Sequence, residues 1–165
     1  MAKVIIICNF HKQSGFGHLT RMKSLVNSFK NNSHHVKFIF EKKYKQFNEK
    51  HLTKYNRDYL DFNFNKNSKK LIKYLKKNQT DIIIFDSYFI SINLETKLYD
   101  NFFIVSIDDK LLNHKSHLTF NSREAIDENH LSSNGQIWKT GKKYLLIGDT
   151  IRKKKFNTTV KKILI

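Results

Sequence analysis

Apolar positions along the chain fall into two alternating kinds of segment. Short continuous runs rich in β-branched residues occur at Lys3–Cys8, Val36–Phe40, Asp81–Asp86 and Phe102–Ile107. Such runs predict strands buried on both faces of a sheet. Between them, apolar residues recur at the three- and four-residue spacing of a helix that buries one side. Leu19, Met22, Leu25, Val26 and Phe29 do so within 18–30, and helices are also expected over 68–77 and 92–99. The charged stretch 42–56 reads as helical, Tyr59–Phe64 alternates like a third strand, and short strands are expected at His117–Phe120 and Tyr144–Ile147. Ser122–Lys139 has no clear period. Strand and helix in alternation imply parallel neighbours joined by crossovers. The expectation is an α/β fold: a Rossmann-like, mostly parallel sheet with helices on both faces, occupying residues 1–157. Residues 158–165 carry a further apolar run after the basic stretch Arg152–Lys155. That run reads either as an edge strand or as the start of a second domain.

Composition narrows this picture. Cys8 is the sole cysteine, which excludes intrachain disulfides and cysteine-rich zinc modules. No apolar run approaches the ~18–20 residues of a membrane span. The apolar core of the first segment is about five residues, shorter than the ~7–15 of a secretory signal. A cytoplasmic protein with no membrane span is expected. The formal net charge is +17, which suits an anionic partner. However, 27 of the 31 basic residues are Lys, 17 residues are Asn, two are Ala and none is Pro. That composition follows an AT-rich genome, and a protein that reads bases or clamps phosphates uses more Arg. A solvated lysine surface is therefore favoured over a specific nucleic-acid partner.

Ligands of open parallel sheets bind beyond the carboxyl ends of the strands. Four features fall there: the loop 9–18, Asp86-Ser87-Tyr88, Asp108-Asp109, and Asn121. The loop reads Ser14-Gly15-Phe16-Gly17-His18-Leu19-Thr20-Arg21. Gly15 and Gly17 permit a tight turn and close backbone approach to a ligand. The segment lacks the third glycine of the dinucleotide fingerprint and the Gly-Lys-Ser/Thr of a phosphate loop. It offers instead His18 in the first helical turn, where the helix dipole favours the neutral ring and a proton-accepting role. Arg21 lies three residues on, along nearly the same side. His114 and His117 have helical spacing but no acidic partner placed as in a zinc protease, so no metal and no cofactor are expected.

Gly15-Phe16-Gly17-His18-Leu19-Thr20-Arg21 resembles the Gly-x-Gly-His-x-x-Arg motif of the UDP-sugar hydrolases of pseudaminic acid biosynthesis. Those enzymes release UDP from UDP-2,4-diacetamido-2,4,6-trideoxy-β-L-altropyranose. Further likenesses follow: Asp81–Asp86 with Ser87-Tyr88-Phe89-Ile90 to a strand ending Asp-His-Tyr-Gly-Ile, Val105–Asp109 to a strand ending Asp-Asp, Leu118–Asn121 to a strand ending in Asn, and Ile151-Arg152 with Phe156 to an Ile-Arg-x-x-Phe segment. Ser87 and Phe89 stand where the family has His and Gly. The resemblance implies the N-terminal domain of a two-domain, glycosyltransferase-B-like protein. Its nucleotide-binding C-terminal domain would begin near Val160 or belong to another chain, and without it turnover should be very low. It further implies His18 as the general base that activates water at the anomeric carbon. Gly15, Gly17, Arg21, Asp86, Tyr88, Asp108 and Asn121 would contact a UDP-sugar substrate. Two alternatives stay open: the acceptor-binding domain of a related glycosyltransferase, or a non-catalytic basic module that binds anions.

Overall fold

The computed structural model describes residues 1–8, 10, 16–122, 136–144 and 146. Its elements are β1 (Lys3–Cys8), α1 (Gly17–Asn31), β2 (His35–Glu41), the single turn α2 (Lys45–Asn48), β3 (Arg57–Leu60), α3 (Ser68–Lys77), β4 (Ile82–Asp86), α4 (Ile92–Tyr99), β5 (Phe103–Ile107), β6 (Leu118–Asn121) and β7 (Ile137–Thr140). All seven strands pair in parallel, in the order β3-β2-β1-β4-β5-β6-β7. This is the expected Rossmann-like α/β fold.

Alternation along β1 builds the two layers of core. Val4, Ile6 and Cys8 face Leu19, Met22 and Val26 of α1 together with Phe38, Phe40 and Ile84. Ile5 and Ile7 face the other way, onto Leu71 and Leu75 of α3 and Leu94 and Leu98 of α4. Strands buried on both sides need the near-continuous apolar runs that marked them in the sequence. The strand order reverses between β1 and β4, so the chain leaves these neighbours toward opposite faces. A crevice opens beyond their carboxyl ends, where such sheets place ligands. Cys8 and Asp86 stand side by side in register at that point.

Four expectations need correction. The stretch 42–56 is not one helix: α2 lies between 3-10 turns at Lys42–Tyr44 and Glu49–His51. Arg57 Nη1 takes the carbonyls of Leu52 at 2.8 Å and Tyr55 at 3.2 Å, where a longer helix would need them. β3 begins two residues earlier than its alternation suggests and stops at Leu60, because Glu41 captures the Asn63 side chain and the Phe64 N–H and draws the chain off the sheet. A strand, β7, begins within the aperiodic region and ends one residue beyond it, with Trp138 buried in it. Tyr144 closes a 3-10 turn rather than opening a strand: Gly141 turns the chain with φ 97°, and Tyr144 packs on Phe120. Residues 147–165, with Arg152, Phe156 and the domain boundary expected near 158, lie outside the described residues. Among the described residues no helix is long and apolar enough to cross a membrane.

Candidate active site

His18 occupies the second position of α1, and the apolar stripe of that helix turns the ring inward to 8% exposure. Its Nδ1 lies 2.6 Å from Oδ1 of Asp86, the last residue of β4. Asp86 is fully buried, and Arg21 grips both of its oxygens, Nε at 2.6 Å from Oδ2 and Nη2 on Oδ1. A carboxylate paired in this way accepts only, so Nδ1 of His18 carries the proton and donates it. The 3.1 Å approach of Arg21 Nη2 to His18 Nδ1 then reflects two donors sharing Oδ1. With Nδ1 committed to Asp86, Nε2 is the nitrogen left for proton chemistry.

Arg21 extends the group across the sheet. Its Nη1 donates to Asp109 Oδ2 at 2.7 Å, and the Tyr88 hydroxyl donates to the same oxygen at 3.3 Å. The Tyr88 and His18 rings meet edge to face with centroids 4.9 Å apart. Burial would lower the Arg21 pKa, but the hydrogen bonds and charges of Asp86 and Asp109 hold it above its ordinary value. Burial, then the charge of Asp109, push Tyr88 upward against the opposing pull of Arg21, which keeps it a neutral donor. Burial and the charge of Asp86 likewise raise Cys8, so the buried thiol beside the group stays protonated. The His18 group comes from α1, β4 and the loops after β4 and β5, with Cys8 beside it on β1, and the strand switch brings them together.

The other expected contacts are distributed differently. Gly15 lies outside the described residues. Gly17 opens α1, and a Cβ there would meet nothing within 4 Å, so packing does not require glycine. Asp108 is 1% exposed and turns under its own loop, accepting the N–H groups of Lys110 and Leu112 at 2.8 Å each. Asn121 is fully buried at the end of β6, where its carbonyl accepts the Gly141 N–H. Asp109, not Asp108, joins the His18 group; two adjacent aspartates after a strand do not reveal which one turns inward. Lys110 is the other residue that sequence reasoning passed over. Its Nζ sits 4.1 Å above the Tyr88 ring. Its neighbourhood to Asp109 was the available signal.

A cavity of about 290 Å³ opens on the β2 side of Cys8. Ser87 and Phe89, which flank Tyr88 in the chain, stand in its wall with Phe40, Phe64 and Asn65; His18 does not. Among the described residues no cluster of three or more His, Cys, Asp or Glu side chains is placed to hold a metal ion. His114 is bound instead to Glu95, and His117 stacks on Tyr99 and Phe103.

No protein-family model matches the chain, and no curated protein does. The crystal structure of MurG from Acinetobacter baumannii, a glycosyltransferase of the GT-B fold, is similar at TM-score 0.58 and 7% identity. The likeness is one of fold. It covers 74% of this chain and 41% of the MurG chain, so this chain spans less than half of that protein's length.

Proposed function

We propose that this chain is the sugar-side domain of a nucleotide-sugar hydrolase that releases UDP from a UDP-diacetamido-trideoxy sugar in surface-glycan biosynthesis. The observation that carries this reading is the His18–Asp86–Arg21 group at the strand switch. His18 Nε2 takes a proton from water as the water oxygen bonds to the anomeric carbon. The bond from that carbon to the diphosphate oxygen breaks, and its electron pair departs with UDP. Asp86 holds the imidazole in the required tautomer and stabilises the imidazolium that forms. Arg21 fixes Asp86 and, through Asp109, the Tyr88 hydroxyl. A positioned base of this kind contributes roughly 10²–10⁴ in rate. UDP is a good leaving group, so no strong acid is needed. The cavity beside Cys8, with rings of Phe40, Phe64 and Phe89 and the amide of Asn65 in its wall, suits the acylated face of such a sugar.

A second reading follows from the fold likeness to a glycosyltransferase. In it the same base deprotonates an acceptor hydroxyl instead of water. The test is UDP release followed by ³¹P NMR in ¹⁸O-labelled water, for the chain alone and with a nucleotide-binding half supplied as a second chain. Hydrolysis at the anomeric carbon leaves the UDP phosphorus unlabelled and places the oxygen of water on the freed sugar, and His18→Ala slows it by about 10²–10⁴-fold. Release that requires an added sugar acceptor selects the transferase reading. Undiminished release by His18→Ala removes the base from both.

A further inference from the structure

The guanidinium nearest the candidate base is already committed. All three nitrogens of Arg21 serve Asp86 and Asp109, and turning it toward a ligand would leave the fully buried carboxylate of Asp86 without its cation. Counting Asp86, Asp109 and Arg21, the group carries one net negative charge. An incoming phosphate is repelled by it unless another cation stands close by. Lys110 stands there. Its Nζ rests over Tyr88, whose ring centroid is 4.9 Å from that of His18, which places the ammonium within about 9 Å of the imidazole centre. Among the described residues no carboxylate pairs with it. Its backbone is pinned, because Asp108 takes the N–H groups of Lys110 and Leu112 on its two oxygens. A fixed anchor with a mobile four-carbon stem suits a point charge that meets a phosphate.

We propose that Lys110 is the phosphate-binding residue of this half of the site, parked on the Tyr88 ring until a diphosphate arrives. The proposal deepens the hydrolase reading and rests on it for the identity of the ligand. From His18 Nε2 to the attacking water, and from water to the anomeric carbon, are two steps of about 3 Å each. The first phosphorus lies one ester linkage further, within the reach of Lys110. The resting cation–π contact at an exposed position is weaker than a charge-assisted hydrogen bond to a phosphate oxygen, so a ligand draws the side chain off the ring.

Calorimetric titration of the protein with inorganic pyrophosphate, and separately with UDP, tests this. Lys110→Gln is compared with Lys143→Gln, an exposed lysine of the Lys142–Tyr144 turn. Lys110→Gln is expected to weaken both ligands by about tenfold or more, with Lys110→Arg recovering part of the loss and Lys143→Gln binding like wild type. Equal binding by Lys110→Gln and wild type overturns the proposal. So do equal losses in both glutamine variants, or no binding by the wild type. The two readings fail separately. A protein that loses pyrophosphate on Lys110→Gln yet never releases UDP keeps the anion site and drops the hydrolase. A protein that hydrolyses UDP-sugar with kcat and KM unchanged in Lys110→Gln keeps the hydrolase and drops the anion site.

Discussion

Two imidazoles at the carboxyl edge of the sheet each meet a buried carboxylate through Nδ1, and they differ in everything that follows. His18 faces Asp86 at 2.6 Å, and Asp86 already has Arg21 on both oxygens. His114 faces Glu95 at 2.9 Å; the other oxygen of Glu95 takes only the Lys115 N–H, and Lys115 Nζ lies over Tyr99 instead. The second nitrogen of His114 is buried without a hydrogen bond and 4.0 Å from Asp108, whereas the ring of His18 abuts Tyr88. Burial alone would lower the His114 pKa. The hydrogen bond and charge of Glu95, with the charge of Asp108, outweigh burial and raise it. The same pairing thus yields a clamp in one place and a candidate base in the other. What differs is whether a cation other than the histidine grips the carboxylate: Arg21 does so at Asp86, and among the described residues none does at Glu95.

The largest effect that separates the two clusters is on turnover. His18→Ala is expected to cut UDP release by about 10²–10⁴ while leaving the thermal midpoint near wild type. His114→Ala should shift the midpoint and leave most of the rate. Parallel rate and unfolding measurements check both, and a rate loss in His114→Ala as large as in His18→Ala would erase the distinction.

Next in size is the cost of removing the buried carboxylate of the clamp. Glu95 is 1% exposed and holds His114, the Lys115 N–H and the Ser106 hydroxyl. Glu95→Ala leaves those donors buried and is expected to cost about 3 kcal/mol in chemical unfolding. A change within a few tenths of the wild type would mean that the loop from 108 to 116 is held by other contacts.

The clamp and the base were unequally legible in the amino-acid order. β1, β4 and α3 were readable because strands buried on two faces and a one-sided helix leave strong periods. β7 was not, because a four-residue strand with Trp138 and Thr140 buried and Ile137 exposed is too short and too mixed to stand out. His18 could be singled out by its place after two glycines at the end of a buried strand. Its orientation by Asp86, 68 residues away, depends on β4 lying beside β1, which the strand order alone supplies. Glu95 was unreadable for the converse reason: within an ordinary amphipathic turn of α4 nothing distinguishes a buried glutamate from a solvated one until the β5–β6 loop folds over it.

A smaller effect follows from the proton that His114 holds. Its pKa in the folded chain is raised from 6.5, so the folded state binds that proton more tightly than the unfolded state. The stabilisation is complete below pH 6.5 and is lost as pH rises through the folded value. The thermal midpoint should therefore fall over that window in wild type. In His114→Gln that component should be absent, leaving a flatter profile. An equally steep decline in the variant would assign the pH dependence to other groups.

The smallest effect returns to the mouth of the candidate site. Gly17 begins α1, and a methyl group there would meet open space. Alanine favours helix over glycine by up to about 1 kcal/mol, less at a first turn than in a helix interior, so Gly17→Ala should raise the unfolding midpoint slightly. If a ligand backs onto the start of α1 beside His18, the same methyl intrudes on it, and UDP-sugar affinity should fall although the domain is more stable. Stability and binding moving in opposite directions would mark this glycine as kept for the ligand. Were both unchanged or both improved, the turn before His18 would be a simple entry into the helix, and the contrast with the His114 clamp would rest on Asp86 and Arg21 alone.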